Sequence, residues 1–213
     1  MVIAIDGPSA SGKTTVGKLL AQKLDYLLID TGIIYRTLAY ISLHQGKDEE
    51  SLTSLAKSSQ FKFLSPDGIS VDNQRFYSPD LFTSEVERLV PHISKLGRLR
   101  EAILPQQRRL VEKNAVVVGR DIGTVVFPQA ELKIYLEACL EERARRRFLQ
   151  KGEKPATALA AIRARDNMDK TRSVSPLRPA SDAHVIDTEG ITPSEVVCRI
   201  LKLAGDKCGF TVP

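Results

Sequence analysis

Val2 to Ile5 is a short unbroken apolar run and reads as a buried strand, while Val16, Leu19, Leu20 and Leu24 recur at helical spacing after a Gly-rich turn. Tyr26 to Ile29 is the next strand-like run. Strand, helix and strand within about 30 residues make the βαβ unit of a parallel sheet, so the opening segment already predicts an α/β fold. A helical stretch from Ile33 to about His44 follows, closed by Gly46. Phe61 to Tyr77 changes character and alternates around two turn signals, Pro66-Asp67-Gly68 and Asp72-Asn73, which predicts a small antiparallel hairpin region. Ser78-Pro79 offers a helix N-cap with proline at the first helical position, and the helical text runs on to Asn114 with breaks near Pro91 and Pro105. Ala115 to Gly119, Leu132 to Leu136 and Val185 to Asp187 bring the core sheet to about five strands. Thr192-Pro193-Ser194-Glu195 is a capping-box sequence ahead of Val196, Val197, Ile200 and Leu201, which predicts a terminal amphipathic helix.

Composition narrows the class. With 213 residues, 42% hydrophobic and 27% charged, the chain can bury a large core, which excludes a mainly disordered protein. No apolar stretch approaches the roughly 20 residues that span a bilayer, and Met1 to Asp6 lacks the basic and apolar regions of a signal peptide. A soluble, cytoplasmic protein is the expectation. Cys139, Cys198 and Cys208 are too far apart for a zinc site or a disulfide framework and read as reduced thiols, with Cys139 and Cys198 expected to pack in apolar surroundings. The net charge of +5 suits an anionic ligand without identifying it.

The sharpest motif is Gly7-Pro8-Ser9-Ala10-Ser11-Gly12-Lys13-Thr14, a full G-x-x-x-x-G-K-[ST] pattern lying between a predicted strand and a predicted helix. Such a loop turns main-chain N–H groups toward phosphate oxygens, and the helix start adds its partial positive charge. Lys13 then reaches the β- and γ-phosphates of a nucleoside triphosphate, and the Thr14 hydroxyl is the candidate Mg2+ ligand. The motif leaves open whether the phosphoryl group goes to water, a protein or a small molecule.

Asp30-Thr31-Gly32-Ile33-Ile34-Tyr35-Arg36 follows the second strand, at the carboxyl edge where open α/β sheets bind ligands. Either Arg36 holds a phosphate and Tyr35 lies against a base or sugar, or Tyr35 packs in the core and Arg36 is solvated. Gly119-Arg120-Asp121 follows another strand, and there the alternative is a surface ion pair. Arg165, Asp169 and Arg172 fall on one helical face, with Arg163 nearby, and that face either reaches phosphate or is a solvated stripe. In the run from Glu141 to Arg147, the pairs Glu141–Arg145 and Glu142–Arg146 have ordinary helix-surface spacing, while one or two of the arginines could serve as lid arms on the transferring phosphoryl. His44, His92 and His184 stand apart from any nucleophile, so acyl transfer and metal-dependent hydrolysis lack support.

Taken in order, I-D-G-P-S-A-S-G-K-T-T, D-T-G-I-I-Y-R, G-R-D-I-G-T-V-V-F-P and R-D-N-M-D-K-T-R-S-V-S-P-L resemble the bacterial cytidylate kinase family of P-loop nucleoside monophosphate kinases, over Ile3 to about Asp187. The resemblance implies transfer of the ATP γ-phosphoryl group to CMP or dCMP with Mg2+, by a single monomeric unit. It implies a core over 1–31, 115–146 and 173–213, a monophosphate-binding region with an inserted small sheet over 32–114, and a lid over about 147–172. The ATP-binding loop extends from Gly7 to Thr15. By similarity Thr31 and Tyr35 contact the nucleoside, Arg36, Arg120 and Arg172 the acceptor phosphate, and Arg165 and Asp169 the sugar and phosphate region. Arg100 and Asp121 read the cytosine edge. Lys13, Arg36, Arg120, Arg165 and Arg172 form the catalytic set. Where relatives carry a small polar residue this chain has Pro91-His92, and Ser94 is the candidate substitute. The competing readings are a P-loop kinase for another acceptor, such as UMP or a metabolite alcohol with Asp30 as base, and an ATP-dependent nucleic-acid-binding protein. Against the last, 7 Phe, 5 Tyr and no Trp are few for base stacking, so no nucleic-acid or membrane partner is expected.

Overall fold

The computed structural model describes residues 1–64, 68–112, 114–152 and 154–208, apart from the side chains of residues 151, 207 and 208. The turn expected at Pro66-Asp67 and the Cys208 thiol lie outside the described residues. In chain order the elements are β1 (Val2–Asp6), α1 (Lys13–Leu24), β2 (Leu27–Asp30), α2 (Thr31–Gln45), α3 (Glu49–Ser58), β3 (Phe61–Leu64), β4 (Gly68–Val71) and β5 (Gln74–Tyr77). Then come α4 (Ser78–Leu81), α5 (Ser84–Ile93), α6 (Gly97–Arg109), β6 (Ala115–Val118), a π-helical turn over Ile122–Val126 and β7 (Leu132–Glu137). The chain closes with α7 (Leu140–Lys151), α8 (Pro155–Thr171), β8 (His184–Asp187) and α9 (Pro193–Cys208).

The chain divides into two compact units, residues 1–28 with 113–213, and residues 29–112. The first unit carries the five-stranded sheet, in the order β2-β6-β1-β7-β8, with β1 parallel to β6 and β7, and β7 parallel to β8. Strands covered on both faces need apolar side chains on both. That is why Val2 to Ile5, Ala115 to Val118 and Leu132 to Leu136 are nearly unbroken apolar text. Ile3, Ile5, Val116, Leu132 and Leu136 meet Leu20 of α1 and Val197 and Ile200 of α9 in one core. The capping box starts α9 as expected: Glu195 N–H donates to Thr192 Oγ1, and Thr192 N–H donates to Glu195 Oε2.

The second unit packs α2 to α6 with the antiparallel sheet β3-β4-β5. Its core joins Ile34 and Leu38 of α2, Leu52 of α3, Ile69 of β4, and Leu99 and Ile103 of α6. Asp30 caps α2 by accepting the Gly32 N–H, and the helix ends on the left-handed Gly46. Helix α3 is an addition to the expected elements. Leu52, Leu55 and Ala56 are its only apolar positions, so its periodicity is faint, but Asp48 caps it and Glu49 and Glu50 favour its amino end.

Three expectations are corrected. Pro91 and Pro105 lie inside α5 and α6 rather than at breaks. Each forgoes one backbone bond, and the chain turns instead at Ser94, whose hydroxyl donates to Pro91 O at 3.1 Å and satisfies an end carbonyl. Ser78 is not an N-cap. It is the first residue of the four-residue α4, and the capping hydroxyl belongs to Thr83, which accepts the Val86 N–H at the start of α5. Cys139 and Cys198 are exposed free thiols rather than packed ones. The Cys139 Sγ accepts the Glu142 N–H and caps α7, so the thiol sits at the helix start rather than in the core.

Gly17 marks where α1 lies closest to the sheet: a Cβ there would come within 2.5 Å of Val118 Cγ2 and 3.3 Å of Leu28 Cδ1. Val118 is stiff and buried, so the contact cannot relax cheaply. Gly17→Ala is expected to cost about 1–3 kcal/mol of stability by overpacking, read from the midpoint of urea unfolding.

Candidate active site

The phosphate loop leaves β1 after Asp6. Gly7 runs so close to β7 that a Cβ would sit 2.1 Å from Leu136 O, which leaves glycine as the residue that fits. Gly12, at φ 91°, stands as N-cap of α1 with no side-chain cap, so main-chain donors and the helix dipole define the start of that helix. Lys13 is buried, and its Nζ donates to Pro8 O and to Ser11 Oγ at 3.2 Å, folding the ammonium over the loop. Thr14 and Thr15 follow in the first turn and are exposed.

Two helices brace this loop. Ser9 N–H donates to Asp166 Oδ1 of α8 at 3.0 Å, while Ser9 O accepts from Arg143 Nη1 of α7 at 3.1 Å. Arg143 and Asp166 also pair directly, so the buried charges satisfy one another as well as the loop. Arg146 donates to Glu142 Oε1 and to Thr188, and its guanidinium lies beside Gly12. The Glu141–Arg145 pairing is corrected, because Arg145 binds Glu142 at 2.7 Å instead. Arg145 and Arg146 together hold the Glu142 carboxyl down to about 2.

A second constellation in the same unit collects Arg120 and Asp121, beyond β6, with the residues of α8. Asp169 Oδ2 accepts from Arg120 Nε and Arg165 Nε, both at 3.1 Å, and Arg172 lies 3.9 Å from its other oxygen and 3.5 Å from Asp121. Asp121, Asp169 and Arg172 are buried, so this is neither a surface ion pair nor a solvated stripe. Burial pushes the Asp169 carboxyl up, but Arg120, Arg165 and Arg172 outweigh it and leave the group below its ordinary value. Arg163 is exposed, on another face of the helix.

The second unit holds the remaining candidates. Tyr35 belongs to the core, as the packing alternative had it, and the Arg100 guanidinium lies 5.3 Å from its ring centroid. Arg100 Nη1 donates to Ser94 O at 3.1 Å. Arg36 is not solvated: it pairs with Glu87 at 3.3 Å and stacks 4.3 Å over Phe82. Thr31 is buried in the first turn of α2.

Sequence reasoning missed Arg143, Asp166 and Asp6. The signal for Asp6 was an acid closing an otherwise apolar strand; the signal for Asp166 was its place three residues before Asp169 on one helix. Asp6 accepts the Ile122 and Gly123 N–H groups, and burial above all lifts its carboxyl to about 6 against those bonds.

A phosphate loop between the first strand and first helix of a parallel sheet defines the P-loop nucleotide-binding class. The family model for cytidylate kinase matches residues 3–206, and the chain belongs to that family. It is 41% identical to the cytidylate kinase of Bacillus licheniformis, covering 97% of each chain. It is 44% identical to the cytidylate kinase of Halalkalibacterium halodurans, covering 94% of this chain and 96% of that one. In fold it is similar to the crystal structure of an uncharacterized protein from Eubacterium ventriosum, with a TM-score of 0.54 at 14% identity over 95% of this chain and 97% of that one.

Asp169→Ala strips the carboxylate from three guanidiniums and is expected to cost about 3–5 kcal/mol near neutral pH. A folded value held below the ordinary 3.8 contributes stability above that pH and loses it as pH falls through the folded value. The stability gap between wild type and Asp169→Ala, measured by urea unfolding, therefore narrows below about pH 4.

Proposed function

We propose that the chain transfers the γ-phosphoryl group of ATP to CMP or dCMP, giving ADP and CDP or dCDP. The observation that carries this reading is the buried Arg120–Asp121–Arg165–Asp169–Arg172 cluster, in a chain of the cytidylate kinase family whose phosphate loop is complete. An acceptor phosphate oxygen attacks the γ-phosphorus in line, and the bond from that phosphorus to the β–γ bridging oxygen breaks. A phosphate monoester has its second pKa near 6 and is already deprotonated at neutral pH, so the site needs positioning and positive charge rather than a general base.

The loop from Gly7 to Thr15 takes the ATP phosphates, and Lys13 stabilises charge that spreads over the β- and γ-oxygens in the transition state. Among the described residues no three His, Cys, Asp or Glu side chains gather as a metal cage. A metal ion here would draw on Thr14, phosphate oxygens and water, which is the ligand set Mg2+ favours. When bound, Mg2+ neutralises phosphate charge and holds the β- and γ-groups in register.

Arg36, Arg120 and Arg172 take the acceptor phosphate, with Glu87 and Phe82 orienting Arg36. Arg165 and Asp169 take the sugar and phosphate region, and Thr31 and Tyr35 the nucleoside. Arg100 and Asp121 read the base. Asp121 accepts from the cytosine 4-amino group, whereas uracil would set a carbonyl against a buried carboxylate, a costly mismatch. In the alcohol-acceptor alternative the base would be Asp30, whose carboxylate caps α2 by accepting the Gly32 N–H. The reading carries with it a monomeric cytoplasmic enzyme of pyrimidine nucleotide metabolism acting on small nucleotides. No helix of the described residues is long and apolar enough to cross a membrane.

A coupled assay of ADP release across nucleoside monophosphates, with ATP and Mg2+, tests the assignment: CMP and dCMP should support turnover, and silence with both alongside turnover of another acceptor would overturn it. Lys13→Ala should lower kcat by about 10²- to 10³-fold with an unchanged circular dichroism spectrum. Asp121→Ala should lower kcat/KM for CMP by roughly 10- to 100-fold while KM for ATP stays within about twofold.

A further inference from the structure

We propose that Asp6 is a positioning residue: from the strand that enters the phosphate loop, its carboxylate pins the main chain just past Arg120 and Asp121 and so sets the two side chains that hold and read the acceptor. The inference rests on the acceptor roles of Arg120 and Asp121 proposed above.

Asp6 is the last residue of β1 and only 4% exposed. A carboxylate so placed needs strong compensation, and it receives two short bonds from residues more than a hundred positions away in sequence. Ile122 N–H donates to Oδ1 at 2.8 Å and Gly123 N–H donates to Oδ2 at 2.7 Å. These are the first two residues of the π-helical turn, whose leading N–H groups have no partner within the turn. The turn itself binds Asp121, because Asp121 O accepts from Val125 N at 2.9 Å and from Val126 N at 3.1 Å. The main chain at Asp121 is thus held through its own carbonyl by the turn, and through the next two amides by Asp6. With that chain fixed, Arg120 meets Asp169 and Asp121 meets Arg172.

Gly123 is part of the same junction. A Cβ there would lie 3.1 Å from Lys133 Cδ and 3.4 Å from Asp6 Oδ2, so Gly123 packs directly against both side chains. The charged groups facing Asp6 are Asp121, which opposes its ionisation, and Lys13, which favours it. Tyr135 is its register partner on β7. Lys133 passes by with its stem, and its ammonium is bound to Pro128 O and Asp182. With its carboxyl lifted to about 6, Asp6 gains a proton as pH falls through that value, and its hydroxyl then ceases to accept one of the two N–H bonds.

Asp6→Asn tests the proposal, because an amide can accept one N–H but turns its NH2 against the other. We expect KM for CMP to rise at least fivefold and kcat to fall, with the Kd of a non-hydrolysable ATP analogue within twofold of wild type. Simple destabilisation would leave KM for CMP unchanged well below the melting temperature, and that result overturns the proposal. So does an equal loss for ATP, which would make Asp6 a strut of the phosphate loop alone. A stability readout stands beside the kinetics: a raised folded value means that ionisation costs stability as pH rises from about 4 to about 6. The wild-type advantage in Tm over the always neutral Asp6→Asn should shrink across that window, and a constant difference counts against the assigned environment. Should Asp6→Asn fail to fold, Asp6→Glu keeps the carboxylate but adds a methylene that displaces it from the two amides, and must raise KM for CMP in the same direction. If the wild type proves to phosphorylate a different acceptor, that acceptor replaces CMP in each comparison, so loss of the CMP reading and loss of the Asp6 role are told apart.

Discussion

Holding three guanidiniums close together inside the protein is the constraint around which the first unit is organised. Arg120, Arg165 and Arg172 carry three charges into a largely buried place, where Asp169 and Asp121 pair with them. Without those carboxylates the cluster would be prohibitively costly to fold. The carboxylates therefore both permit the cluster to fold and orient its guanidinium forks.

The phosphate loop faces the same problem with different means. Its donors are main-chain N–H groups, which carry no full charge, and its one cation, Lys13, folds back onto loop oxygens. Loop geometry is then fixed from outside by Arg143 and Asp166 gripping both polar groups of Ser9. Since α8 supplies both Asp166 to the loop and Asp169 to the arginine cluster, one helix references the loop and the cluster to each other. Preorganisation of this kind spares reorganisation during transfer.

Much of this was legible beforehand, for identifiable reasons. The buried strands are contiguous apolar text because both faces are covered, and the loop motif is a local pattern whose glycines answer local steric demands. Arg165 and Asp169 could be placed on one face because helix periodicity is known in advance, whereas the expected helical position of Arg172 is corrected: it has extended backbone just past the end of α8 and meets Asp121 and Asp169 from there. Helix α3 escaped because three apolar residues in ten leave little periodicity, and its capping residue Asp48 carries the signal instead. The prolines misled because a proline near a helix end, as at Pro91, forfeits only one bond, which tertiary packing outweighs.

The amino-acid sequence alone determined the α/β class, the parallel core sheet with its small antiparallel companion and the phosphate loop. These rest on periodicity, turn chemistry and spacing, all of which act within a few residues along the chain. Only the tertiary structure decided that Asp6 meets Ile122 and Gly123, that Arg143 reaches Ser9, that Arg36 lies over Phe82 and that Cys139 is a cap rather than a core residue. Those contacts join residues distant in sequence, and a hydrogen bond or ion pair depends on ångström-scale proximity that only the packed chain creates.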